Sequence, residues 1–219
     1  MNRLSGVAAI VASLALPMAA SATTSAPPGM VSAFADARHA VEDASACIAR
    51  ESVWQVESLD QRLIELRRKV GGLWGHQAVA DREYEARPRC RRPATMLETA
   101  RQRLDALDRA FAIHSAPYNS GAWVGTMPLC GAGSVETRKV VEEYSGERVL
   151  QITLAKAAAA DLAALTAANV GHQLAVRVDG EIIMEPNINE PITGGSIQVM
   201  GSTPADIDRL AALLARCTG

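Results

Sequence analysis

Along residues 31–70 apolar side chains recur at alternating intervals of three and four, with Val56, Leu59, Leu63, Leu66 and Val70 on one stripe. That period predicts a helix with one buried face. Gly71-Gly72 is expected to stop it. The same spacing returns over 93–114 in Leu97, Ala100, Leu104, Leu107 and Phe111. A shorter helix over 74–86 would carry Trp74, Val79 and Tyr84. Matching stripes pack on one another, so residues 31–114 are expected to form a helical hairpin or small bundle. Residues 115–134 are rich in Gly, Pro and Ser and read as a linker.

Beyond residue 134 the period falls to two. Residues 135–144 and 149–154 read as paired strands about Ser145-Gly146, and 157–170 as a helix burying Leu162 and Leu165. Leu174, Val176 and Val178 alternate with Ala175 and Arg177, the mark of a half-buried strand. Asp179-Gly180 predicts a tight hairpin, because a type I′ turn needs positive φ at both central residues. Residues 181–184 return; Pro186 and Pro191 cannot donate to a ladder and keep this return at an edge or outside the sheet. Gly194-Gly195 turns the chain into a last strand through Ile197 and Val199. Thr203, Pro204 and Asp206 then open a capped helix that buries Ile207, Leu210, Ala211 and Leu214. The order β-β-α-β-β-β-α makes residues 135–219 an α+β sandwich.

The N-terminus changes where this fold is placed. Arg3, an apolar run over 6–18 and Ala20-Ser21-Ala22 read as a signal peptide of residues 1–22, cleaved after Ala22, with 23–30 a mobile leader. The mature chain is then periplasmic, with no transmembrane helix expected. It keeps Cys47, Cys90, Cys130 and Cys217, an even count suited to an oxidised framework. Of three possible pairings, Cys47–Cys90 with Cys130–Cys217 is favoured, since each bond then closes one half of the protein. A formal net charge of −2 gives no reason to expect a nucleic-acid partner. The basic run Arg87, Arg89, Arg91 and Arg92 reads as a solvated loop rather than an anion site.

Several spaced elements of the C-terminal half agree with one family pattern. Thr166, Asn169 and Gly171 stand at a helix end; Asp179-Gly180, Pro186-Asn187-Ile188, Ile192, Gly194-Gly195 and Gly201 follow, and Leu210 and Ala211 fall in the last helix. Residues 135–216 thereby resemble the head subdomain of the first periplasmic domain of SecD, the protein-export subunit also found fused as SecDF. The resemblance implies a ferredoxin-like α+β head that engages polypeptide emerging on the outer side of the membrane. It does not extend to residues 31–114, and no intramembrane carboxylate for proton coupling is present in the segments it covers.

Candidate chemistry is sparse. No zinc-protease, nucleophile-elbow or phosphate-loop pattern occurs, and His39, His76, His114 and His172 are scattered. Asp179, Gly180, Gly194 and Gly195 are read as turn devices, not as catalytic residues. No catalytic residue, cofactor or metal is expected. The expectation is a non-catalytic interaction module whose partner is a protein or an unfolded polypeptide. Its candidate contact residues are Met184, Pro186, Asn187, Ile188, Asn189 and Ile192, with Ile188 and Ile192 left apolar near a strand edge. The alternatives are an envelope hydrolase with a site between the halves, revived by a cleft lined by His114 or His172 and a carboxylate, or a structural, inhibitor-like protein. The oligomeric state is left open.

Overall fold

The structure is a computed structural model that describes residues 25–48, 53–80, 84, 90, 92–130, 135–141, 146–200 and 203–218. The signal peptide, Gly201 and three of the four clustered arginines (Arg87, Arg89 and Arg91) lie outside them. Among the described residues the chain is α+β, with two separate hydrophobic cores.

The first core is helical. The long pattern over 31–70 divides into α1 (Pro28–Cys47) and α2 (Val53–Trp74), and α3 (Pro93–Ser115) completes a three-helix bundle. The expected leader therefore gives up its last residues to α1: Pro28 serves the first turn, where its missing N–H costs nothing, and Met30 is buried. Met30, Phe34, Ala37, Val41 and Ala44 form the α1 stripe against Leu66, Val70 and Leu73 of α2 and Leu97, Leu104 and Leu107 of α3. Arg62 ties α2 to Asp105 of α3 at 2.7 Å and also pairs with Asp108. Cys47–Cys90 joins the end of α1 to the segment before α3, with Cα atoms 5.2 Å apart. Where a helix over 74–86 was expected, the described residues show the end of α2 at Trp74 and a short 3₁₀ turn, His76–Ala78; residues 81–83 and 85–86 lie outside them.

Gly71-Gly72 does not stop α2, which runs on to Trp74. The reason lies in the second half of the protein. A Cβ on Gly72 would sit 3.2 Å from Cβ of Ala175, and the Gly72 carbonyl accepts from the Ala175 amide at 3.0 Å. The missing side chain lets the helix approach a strand, which is a packing demand and not a terminating one.

The second half holds two antiparallel sheets. The stretch expected as a linker supplies β1 (Ala122–Val124) and β2 (Met127–Pro128). These extend the hairpin β5 (Val176–Val178) and β6 (Glu181–Met184) into a sheet of order β2-β1-β5-β6. Apolar Ala122, Val124, Met127 and Leu129 are all buried, a local alternation that the Gly- and Pro-rich surroundings hid. The other sheet has order β3-β4-β7, from β3 (Val135–Val141), β4 (Arg148–Leu154) and β7 (Ser196–Val199). Helices α4 (Lys156–Ala167) and α5 (Pro204–Ala215) bury Leu162, Leu165, Ile207, Leu210 and Leu214 against these sheets. Thr203 and Asp206 form the reciprocal cap of α5, the Asp206 amide donating to Thr203 Oγ1 at 3.3 Å and the Thr203 amide to Asp206 Oδ2 at 2.9 Å. Cys130–Cys217 closes this half, as paired in the sequence reading.

Asp179 and Gly180 both take positive φ, 49° and 82°, as the hairpin requires. β5 is not half-buried: Ala175 and Arg177 are as enclosed as Leu174, Val176 and Val178. The helical bundle covers the face that alternation assigned to solvent. At Gly195, φ is +66° and a Cβ would fall 2.6 Å from that of Ala159, so the turn into β7 has room for glycine alone.

Candidate functional site

The segment after β6 is built by a short irregular ladder. β6 ends at Met184, two residues before Pro186. Residues 186–188 then run against 171–174: Gly171 N–H donates to Ile188 carbonyl at 2.7 Å, Ile188 N–H to His172 carbonyl at 2.9 Å, and Leu174 N–H to Pro186 carbonyl at 3.2 Å. Buried Thr166 fixes the far end. Its hydroxyl donates to Leu162 carbonyl at 2.7 Å and accepts from the Ile192 amide at 2.9 Å. The loop is thus pinned to α4 without a strand.

This arrangement corrects the expectation for Ile188, which is only 5% exposed and belongs to the core. Pairing of its N–H and C=O with 171–172 turns the side chain inward. Met184, Pro186 and Ile192 are half-buried, while Asn187 and Asn189 are exposed. All six residues nevertheless border one open cleft of about 320 Å³. Its other walls are Leu162 of α4, Val124 and Val176 of the first sheet, and residues 196–199 of β7. β7 pairs with β4 on one side and with no described strand on the other. The cleft therefore combines an unpaired strand edge with an apolar floor and an amide rim.

A second cleft, of about 360 Å³, lies on the opposite side of that ladder, where the bundle meets the head. Asn169 spans the junction. It is buried, its Nδ2 donates to Leu165 carbonyl at 2.8 Å, and its Oδ1 accepts from the His76 amide at 2.8 Å. The His76 and His172 rings stack with centroids 3.6 Å apart and planes at 2°. Arg68 of α2 pairs with Glu185, whose hydrogen bond raises the arginine pKa further. Glu185 Oε1 is buried with no hydrogen-bond partner among the described residues. Arg177 lies close by under the bundle, with its guanidinium 5.9 Å from the Phe111 ring centre. Burial lowers its pKa, opposed by the Glu185 charge. No single-residue signal in the sequence could have paired His76 with His172, which stand in different halves and on irregular segments.

The junction does bring His172 near a carboxylate, the condition set for an enzymatic reading. Its lining, however, contains no hydroxyl or thiol, and Glu185 is engaged by Arg68. His114 is not part of it. Among the described residues no group of His, Cys, Asp and Glu has metal-binding geometry, and no helix is long and apolar enough to cross a membrane.

A two-sheet α+β head with a groove between its sheets defines the class of this half. Residues 123–217 match the family model described as SecDF, P1 head subdomain. The match begins inside β1, which the structure joins to the head sheet and not to a linker. The chain is 40% identical over 77 residues to protein translocase subunit SecD of Acidaminococcus fermentans, covering 35% of this chain and 18% of that protein. It is 34% identical over 86 residues to SecD of Thermobaculum terrenum, covering 39% of this chain and 17% of that protein. The chain thus spans less than a fifth of the length of these relatives. Among solved structures, a SecDF described as a membrane component that enhances protein export is 28% identical over 42% of each chain, with a TM-score of 0.37. SecDF in a super-membrane-facing form is 28% identical over 42% of this chain and 12% of that one, with a TM-score of 0.36.

Proposed function

We propose that this protein is an exported, non-catalytic module of the bacterial envelope that takes up extended polypeptide in its head groove. The observation that carries the reading is the cleft between β7 and residues 184–192. An incoming chain can pair with the unpaired β7 edge while its side chains enter the apolar floor formed by Leu162, Val176 and Ile197. Backbone pairing gives affinity that is tolerant of sequence, and the exposed amides of Asn187 and Asn189 offer polar contacts at the rim. The head-subdomain match and the protein-export setting of its SecD relatives support this reading. Two disulfides fit an oxidising compartment such as the periplasm, and the signal-like residues 1–22 give the route there.

Fluorescence anisotropy of a labelled, permanently unfolded polypeptide titrated with the protein tests the idea. The expected result is saturable binding in the micromolar range that falls at least fivefold in a Met184→Ser/Ile192→Ser variant. Absence of binding at several hundred micromolar, or unchanged binding by that variant, refutes it.

A further inference from the structure

We infer that the head groove selects extended chain of one pattern and one direction: antiparallel to β7, with apolar residues at every second position and the polar residues between them making the backbone hydrogen bonds. The inference rests on the polypeptide uptake proposed above and adds which atoms and which side chains are read. The register follows from the pairing of β7 with β4. Opposite residues in that ladder are Thr153↔Ser196, Ile152↔Ile197, Gln151↔Gln198 and Leu150↔Val199. One step further along, Leu154 N–H donates to the Gly195 carbonyl at 2.8 Å, so that pair is hydrogen-bonded. Hydrogen-bonded and non-hydrogen-bonded pairs alternate along an antiparallel ladder. Gly195, Ile197 and Val199 therefore turn their N–H and C=O groups toward β4. Ser196 and Gln198 turn theirs the other way, to the edge where β7 has no partner among the described strands and toward the cleft that both residues line.

Side chains alternate in step with these backbone groups. Ile197 is half-buried and Val199 buried on the face shared with Leu150 and Ile152, whereas Ser196 and Gln198 are exposed on the other face. An added antiparallel strand exchanges bonds with Ser196 and Gln198 through two residues that stand two apart, and their side chains point outward beside the Ser196 hydroxyl and the Gln198 amide. Its residues opposite Ile197 and Val199 make no backbone bond to β7 and point inward, toward Leu162 and Val176. A parallel strand reverses the coupling, because its bonded residues are the ones that point inward. Every ladder between described strands is antiparallel, and that pairing is the more stable per residue. The cleft, of about 320 Å³, holds the inward side chains of one strand and not a folded partner. An acidic side chain in the inward phase would lose its hydration on an apolar floor with Glu190 at the rim. The fitting segment therefore alternates residues such as Val with residues such as Thr.

The test is fluorescence anisotropy with short, lysine-ended, labelled peptides, each checked to be monomeric, titrated with the full chain. One peptide alternates Val and Thr; a second has the same composition in the order Val-Val-Thr-Thr. Two further versions of the alternating peptide replace the amide N–H by an ester oxygen, at every Thr in one and at every Val in the other. The alternating peptide should bind about fivefold or more tightly than the paired one. Esters at Thr remove both donors to the β7 edge and should cost about tenfold or more, while esters at Val should cost about threefold at most. Gln198→Pro removes an edge N–H that β4 does not use. With an unchanged circular dichroism spectrum, it should weaken the alternating peptide about fivefold. The ester series carries the test on the peptide side if that variant does not fold. Equal affinity for the alternating and paired peptides, or equal losses from the two ester phases, overturns the register while unfolded polypeptide still binds. A larger loss from esters at Val overturns the antiparallel direction. Absence of binding by every peptide and by unfolded polypeptide refutes the uptake reading itself and this inference with it.

Discussion

Asn169→Ala isolates the contact that joins the two halves. The side chain is 3% exposed and makes two hydrogen bonds of 2.8 Å, to Leu165 carbonyl within the head and from the His76 amide of the bundle. Truncation leaves the Leu165 carbonyl buried without that donor, at about 1–3 kcal/mol. The His76 amide belongs to a half-buried residue that water can reach, so its loss is nearer about 1 kcal/mol. The expected destabilisation is about 2–4 kcal/mol, which for a chain of this size lowers Tm by about 4–16 °C. Asn169→Asp is the companion: it keeps the acceptor for His76 but sets a carboxylate against the Leu165 carbonyl, so it should be no more stable than Ala. Urea denaturation followed by circular dichroism measures both. If Asn169→Ala falls within about 0.5 kcal/mol of the parent, the residue's place in the family pattern has no such structural cause and the reasoning fails.

Further outcomes follow from the same geometry. Ile188→Ala should cost about 2–5 kcal/mol of stability because the residue is core, whereas Ile192→Ser should weaken polypeptide binding with a smaller stability loss; urea melts beside anisotropy separate the two. Removing Cys130–Cys217 by a double change to Ala should cost about 4–5 kcal/mol from the 87-residue separation it closes, against about 4 kcal/mol for Cys47–Cys90 with a separation of 43; equal melting of both variants and the parent would contradict this. Burial and the hydrogen bond to Asp43 push the Tyr84 hydroxyl up to about 12. The folded state then holds this proton more tightly than the unfolded one, so the contribution is complete below pH ~10 and is lost as pH rises toward 12. Ultraviolet titration should show a late-ionising step that is lost in Tyr84→Phe.

Most elements of the head were legible because each carried its own local signal. The Asp179-Gly180 turn, the Thr203–Asp206 cap and the alternation in 149–154 each depend on residues a few positions apart. β1 was missed because a three-residue strand between turns offers too little alternation to stand out, and it becomes a strand only by pairing with β5 some fifty residues later. Gly72 was misread for a related cause. Its role is set by Ala175, which no local pattern around the glycine could reveal. Of the six residues singled out along 184–192, all reach one cleft, yet Ile188 points into the core because its backbone pairs with 171–172.

The sequence by itself determined the helical character of the first half, most elements of the head and a family likeness for the second half, and it favoured the disulfide pairing that closes each. Those properties arise from periodicity, turn chemistry and spacing, which are local or follow from simple closure. The tertiary structure alone decided that β5 is buried on both faces, that a groove opens beside the unpaired edge of β7, and that His76 meets His172 at the junction. Each of these depends on surfaces contributed by distant segments. Their energies come from removing water between those surfaces, and a one-dimensional pattern does not record which surfaces will meet.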